Sequence, residues 1–357
     1  MRRLYSFTLG IVLVIFLLLI GITIMKQTEK SNTQSDKLVI YNWGDYMDPA
    51  LIAKFTKETG IEVQYETFDS NEAMYTKIKQ GGTTYDLAVP SDYMIDKMIK
   101  ENLVVKLDKK HIKGLENISS AFLGKSFDIH NDYSIPYFWG TVGIVYNVKL
   151  VKTAPKHWED LWDSSYRNSI LLVDGAREVM GIGLNSLGYS VNTKNMAELK
   201  QALVKLQKLT PNIKAIVGDE MKGYMIQGDA ALGVTFSGEA SEMLKANPDL
   251  RYIVPSEGSN LWFDNLVIPK AVKHKSQAYA FINFMLDPRN AAKNAEYIGY
   301  ATPNQAARKL LPKTLQENKA FYPDQYTINH LEVYNNLGLK WLGIYNDFYL
   351  QFKMYRK

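Results

Sequence analysis

Cysteine is absent from all 357 residues. That removes thiol nucleophiles, thiolate-ligated metals and disulfide bridges together, and with them a lipid-modified cysteine as a tether for the mature chain. Histidine is scarce: the five are His111, His130, His157, His274 and His330. No two of them stand at the spacing that puts a pair of imidazoles on one helical face, so a metal hydrolase is disfavoured and no metal is expected. The formal charge is a modest +5, and no run of Lys and Arg interleaved with aromatics occurs; nucleic acid is therefore not an expected partner. Internal repeats and low-complexity tracts are missing too.

Signatures of catalysis also fail. "GKS" at 124–126 has Ser119 where a phosphate loop needs its first glycine. "FSGEAS" at 236–241 offers Ser237, but Thr235 stands where a nucleophile elbow needs glycine. With no base–nucleophile pair and no cofactor signature, the chain reads as a binding protein and not an enzyme.

Hydrophobic residues make up 46% of the chain, enough for a large core, and the length suits two domains better than one. Leu4 to Met25 is almost wholly apolar and follows Arg2 and Arg3; about 20 such residues span a bilayer. The run exceeds the ~7–15-residue apolar core of a cleaved signal and no small-x-small site follows it, which favours a retained anchor over a cleaved signal. The basic pair places residues from Lys26 onward outside the cell membrane, with 26–37 as a polar tether.

Beyond the tether, strands alternate with helices. "KLVIY" at 37–41 reads as a strand, and Asp48-Pro49 opens a helix that Gly60 closes. "IEVQYETF" is a second strand. Asp69 and Glu72 have the spacing of a capping box for a helix to about Gln80, "YDLAVP" is a third strand, and Ser91 is placed to cap the next helix. The alternation resumes after Trp139 with "GIVYN", "SILLVD", a helix around 196–208, "IKAIV" and "AALGVTF", then a helix from near Ser276. This pattern predicts an α/β fold of mostly parallel sheets with ligands gathered at the C-terminal strand ends. Trp43, Tyr46, Ser91 and Tyr93 fall there.

Aromatic and acidic residues meet in "NWGDY" at 42–46, "DGARE" at 174–178, "LWFDN" at 261–265 and "EYIGYATPN" at 296–304. Aromatic faces attract cations, and an ammonium leaving water needs a carboxylate beside it. A linear diamine or triamine fits that inventory. Composition alone leaves Trp43 and Trp262 equally readable as core residues, and Asp264 or Glu178 as a turn cap or a surface ion-pair member.

"YNWGDYMDPALIAKFTKETGIEV", "SNEAMYTKI", "YDLAVPSDYMIDKM", "SIPYFWGT", "DGAREV", "LWFDNLVIP" and "IGYATPNQAARKLL" occur in this order between Lys37 and Pro312. Together they resemble the spermidine/putrescine-binding proteins of bacterial polyamine ABC transporters. The resemblance implies a type II periplasmic-binding-protein fold: two α/β lobes joined by a hinge, closing on a ligand in the cleft between them. It implies lobe one from 38–139 plus 264–310 and lobe two from 140–263 plus 311–357. It also implies polyamine and the permease subunits of the importer as partners.

By position in those motifs, Trp43 and Tyr46 match cleft aromatics, Ser91 and Tyr93 polar contacts of lobe one, and Trp262, Asp264 and Tyr300 the surroundings of one terminal amine. Glu178 matches an acid from lobe two. The sequence departs from the family at Gly175, where a cleft aspartate is usual, and at Phe236, Gly44 and Tyr334, which replace tryptophan, threonine and glutamine. Asp92 or Asp174 is the expected compensation for the acid missing at 175. A ferric-ion or other small-solute receptor on the same fold, and a polyamine sensor, are the alternatives.

Overall fold

The structure, a computed structural model, describes residues 37–319 and 321–355. The expected membrane segment, and the tether before Lys37, lie outside the described residues. No helix among the described residues is long and apolar enough to cross a membrane.

Strand β1 (Lys37–Trp43) buries Leu38 and Ile40. The Asp48 carboxylate accepts from the Ala50 amide, Pro49 occupies the first turn, and Gly60 at φ 75° ends helix α1 (Pro49–Thr59), the local grammar expected of that stretch. Leu51 and Phe55, four residues apart, turn the apolar face of α1 to the core. After β2 (Glu62–Phe68), the cap of α2 (Asn71–Gln80) differs from expectation. Ser70, not Asp69, accepts from the Ala73 amide, because the extended Ser70 is the residue adjoining the first helical turn. "YDLAVP" contributes only a short β3 (Leu87–Ala88) before α3 (Asp92–Lys100).

The expectation of a mostly parallel sheet holds on the flanks and fails in the middle. β1 pairs in parallel with β2 and β3; β5 (Ile170–Val173) pairs in parallel with β6 (Ile213–Val217) and β7 (Leu232–Phe236). Between these flanks β4 (Ser134–Asn147) and β9 (Leu261–Val267) run antiparallel to each other, since one carries the chain out and the other brings it back. The nine strands follow the order β2-β1-β3-β9-β4-β7-β5-β6, with β8 (Leu250–Ile253) also on β4.

All 14 residues of β4 are buried. At about 3.3 Å per residue it spans roughly 46 Å, long enough to serve two cores. Its first half pairs with β9 and packs in a core with Ile40, Phe55 and Phe281; its second half pairs with β7. There Ile144 and Leu172 enter one apolar cluster while Val145 and Leu171 enter another on the opposite sheet face, the period-two division of a sheet covered on both sides. Helices α4 (Ala176–Asn185) and α5 (Met196–Leu209) cover the first of these faces. The C-terminal helix Leu339–Met354 joins them through Tyr345, Phe348, Tyr349 and Phe352. Phe321 and Tyr322 pack instead with the core of the first half.

Candidate functional site

Asp264 sits in the middle of β9, opposite Phe138 of β4, and is 6% exposed. The Tyr46 hydroxyl donates to one carboxylate oxygen at 2.6 Å and the Ser91 hydroxyl to the other at 2.6 Å. Asn71 fixes Ser91 in turn, its side-chain amide donating to Ser91 Oγ at 3.0 Å and its oxygen accepting the Ser91 amide at 3.0 Å. Ser91 stands at the head of α3 but makes no side-chain cap there; its hydroxyl is committed to Asp264. Burial pushes the Asp264 carboxyl up to about 6, and the Ser91 and Tyr46 hydroxyls pull against that rise. It is therefore mostly ionised near pH 7, with two of its roughly four lone-pair sites already used.

Asp92, next in sequence, is 1% exposed and differently employed. One oxygen accepts the Tyr93 amide at 2.7 Å and the other the Phe263 amide at 3.2 Å. Burial raises its pKa to about 8, helped by the charge of nearby Asp264. Held by backbone and largely protonated at neutral pH, it adds little negative charge.

A chain of rings leads away from Asp264. Tyr46 meets Tyr300 edge-to-face at 5.3 Å, Tyr300 meets Trp262 at 5.4 Å, and Trp262 meets Phe236 at 6.4 Å, each within the range of favourable aromatic pairs. Two glycines make room for them. A Cβ on Gly238 would fall 0.8 Å from the Tyr300 ring, and one on Gly140 2.3 Å from Trp262, so both rings rest on bare backbone. The Trp262 indole N–H is buried with no hydrogen-bond partner.

Glu178 lies in the first turn of α4, whose preceding residue is Gly175, where a carboxylate is favoured by the helix dipole. Its pKa is raised by desolvation, against its own backbone amide, Arg177 and a Tyr334 hydrogen bond. Arg177 lies over the Tyr334 ring at 4.1 Å and the Tyr345 ring at 5.0 Å, and donates to Val191 O at 3.1 Å and Asn192 Oδ1 at 3.0 Å. Tyr334 is 6% exposed and feels the charges of both Glu178 and Asp92.

The structure thus brings Tyr46, Ser91, Asp92, Asp264, Tyr300, Trp262 and Phe236 into one connected set, with Glu178 and Tyr334 as a second group in electrostatic contact with it through Asp92. Tyr46, matched to a cleft aromatic by its motif, is buried; Asp45 before it takes the positive φ of 46° that a turn residue adopts. Trp43 and Tyr93 are half-buried and engaged nearby: the Trp43 indole donates to Val89 O at 3.0 Å with its ring 4.6 Å from Phe68, and the Tyr93 hydroxyl donates to Glu72 at 3.1 Å. Asp174 does not turn inward to replace the acid missing at 175, because Tyr349 and Lys353 of the C-terminal helix hold it. Asn71 and Arg177 were not foreseen as members. A separate hollow of about 580 Å³, lined by Phe122, Trp139, Arg308 and Tyr322 among others, contains none of the expected site residues.

Comparison with known proteins identifies the family and the fold. Residues 50–323 match the family described as bacterial extracellular solute-binding protein. The spermidine/putrescine-binding periplasmic protein of Salmonella typhimurium is 43% identical over 324 residues, 90% of this chain and 92% of that protein. The crystal structure of a spermidine/putrescine ABC transporter substrate-binding protein from Streptococcus pneumoniae superposes with a TM-score of 0.86 at 67% identity, covering 90% of this chain and 99% of that one. A putative spermidine/putrescine ABC transporter protein from Listeria monocytogenes gives 0.83 at 58% identity, with 90% and 100% covered.

Proposed function

The chain belongs to the bacterial extracellular solute-binding proteins, and from that premise we propose that it captures spermidine or putrescine between two lobes and delivers it to the permease of an ABC importer. The observation that carries this reading is Asp264: a buried carboxylate, oriented by two hydroxyls, at the end of a line of aromatic rings. Such a group is costly to bury alone and becomes favourable when a cation completes it.

In this reading Asp264 takes one terminal ammonium and Glu178 the other, while Tyr300, Trp262 and Phe236 cover the methylenes and offer ring faces to the charges. Trp43, Tyr46, Ser91 and Tyr93 hold the lobe-one wall, Asp92 fixes the backbone behind it, and Tyr334 closes the lobe-two side. Lobe one comprises 38–139 plus 264–310, with Phe321 and Tyr322 packed on it, and lobe two 140–263 plus the C-terminal helix Leu339–Met354, with β4 and β9 as the hinge about which they rotate. The N-terminal segment anchors the protein on the outer face of the membrane, so that capture occurs beside the permease. No covalent chemistry is assigned. Micromolar affinity requires about −8 kcal/mol, within reach of two charge-assisted contacts and a ring-lined cleft.

Thermal unfolding of the purified protein with each polyamine at millimolar concentration tests the assignment. Ligand binding to the folded state raises the midpoint; an unchanged midpoint with both spermidine and putrescine removes the polyamine reading.

A further inference from the structure

The charges gathered around this site do not suit all polyamines equally. Among the acids gathered there, Asp92 is 1% exposed behind the backbone amides of Tyr93 and Phe263 and Asp174 is turned away to Tyr349 and Lys353. Position 175, at the mouth of α4, carries no side chain. Glu239, whose charge reaches Tyr300, is held by the Thr235 hydroxyl, which leaves Asp264 and Glu178 to balance a bound cation. A fixed cation is already present: Arg177 stacks on Tyr334 and acts electrostatically on both Asp92 and Glu178.

Gly175 and Glu178 are also coupled sterically. A Cβ on residue 175 would lie 2.1 Å from Glu178 Oε2 and 3.0 Å from its carboxyl carbon. The Glu178 carboxylate therefore occupies the room that a side chain at 175 would need. The backbone of Gly175 is extended, at φ −153° and ψ 125°, a conformation open to any residue. A side chain at 175 would meet the carboxyl end of Glu178 first, so it would move that carboxylate and leave the backbone in place.

We propose that the cleft is matched to a linear diamine in preference to a triamine, and that Gly175 sets this by letting the Glu178 carboxylate fold back beside it. This rests on the polyamine reading above. Two carboxylates balance two ammonium ends. The inner ammonium of a triamine would leave water without a third carboxylate and would add to the positive charge that Arg177 already places at the lobe-two side. Phe236 and Trp262, in the line of rings that leads from Tyr46, suit methylenes, which need no hydrogen-bond acceptor.

The test is titration calorimetry of putrescine and spermidine into the purified wild-type protein and into Gly175→Ala and Gly175→Asp, each checked for folding by thermal melting. The wild-type protein is expected to bind putrescine at least about tenfold more tightly than spermidine, the scale of one unmade charge-assisted hydrogen bond. Gly175→Ala displaces the Glu178 carboxylate without adding charge and is expected to weaken putrescine severalfold. Gly175→Asp adds a third acid and is expected to shrink or reverse the preference. Equal or tighter binding of spermidine by the wild-type protein overturns the inference and leaves the polyamine assignment standing. A preference untouched by either substitution at 175 overturns the role given to Gly175. Heat from neither ligand overturns the assignment and the preference with it.

Discussion

The two carboxylates assigned to the ligand differ in how they are held. Asp264 lies on a central strand, receives hydroxyl hydrogen bonds at 2.6 Å on both oxygens, and has its partner Ser91 fixed by Asn71. Glu178 lies in the first turn of a helix on the other lobe, half-buried, and rests beside a glycine. One end is a preorganised counter-charge whose pocket is built before the ligand arrives. The other is a longer side chain whose place depends on the room left for it. Preorganisation lowers the cost of ordering at binding, so in the proposed function the lobe-one end is expected to carry more of the affinity and the lobe-two end more of the selectivity.

The strongest way to break this asymmetry is Asp264→Ala. It removes the buried counter-charge and strands the Tyr46 and Ser91 hydroxyls, so polyamine affinity is expected to fall about 100-fold or more, read by titration calorimetry. Glu178→Gln keeps the shape but removes the charge of the less constrained end; a loss of roughly tenfold is expected, smaller than at Asp264. Equal losses at the two positions contradict the asymmetry.

Acid sharpens the comparison. The Asp264 carboxyl titrates at about 6 in the free protein, and the cation binds its ionised form. Affinity is then level above about pH 7 and falls as pH drops through 6, by about tenfold one unit below the pKa. Glu178, also raised, contributes in the same direction, so the measurement belongs in the Glu178→Gln background as well, where the Asp264 transition persists. The opposite sign applies to folding. Asp264 and Asp92 bind protons more tightly when folded than when unfolded, so their contribution to stability is greatest below about pH 4. It declines as pH rises through about 6 and about 8 respectively.

The smallest expected effect comes from Tyr46→Phe. It deletes one of the two donors to Asp264, weakening binding by about 1 kcal/mol and moving the acid transition upward, because a hydrogen bond that favoured the ionised form is lost. An unmoved transition removes Tyr46 from its orienting role.

Much of this was legible in the sequence because it depends on local grammar. Asp48-Pro49 and Gly60 bound a helix wherever the chain goes afterward, and several of the aromatic and acidic residues singled out near strand ends are ones the fold brings into contact. What was not legible depends on partners distant in sequence. Ser91 has the position of a helix cap, but β9 brings Asp264 within 2.6 Å of its hydroxyl, which donates there and accepts from the Asn71 side-chain amide in place of a helix amide. Asp92 sits in the same motif as Ser91, yet the Phe263 amide turns it into a backbone clamp. Nothing local marks Arg177 as part of the site, because the ring it lies on comes from Tyr334, far along the chain. The antiparallel course of β4 and β9 was hidden for the same reason, since strand direction follows from the return path between two cores and not from the residues of either strand.

The account turns on Asp264 as the principal counter-charge for a polyamine. Titrating putrescine at pH 7.5 into the wild-type protein and Asp264→Ala, with matched folding, tests it most directly. The account predicts saturable one-to-one binding by the first and a loss of about 100-fold or more in the second. Comparable affinity in the two proteins would contradict it.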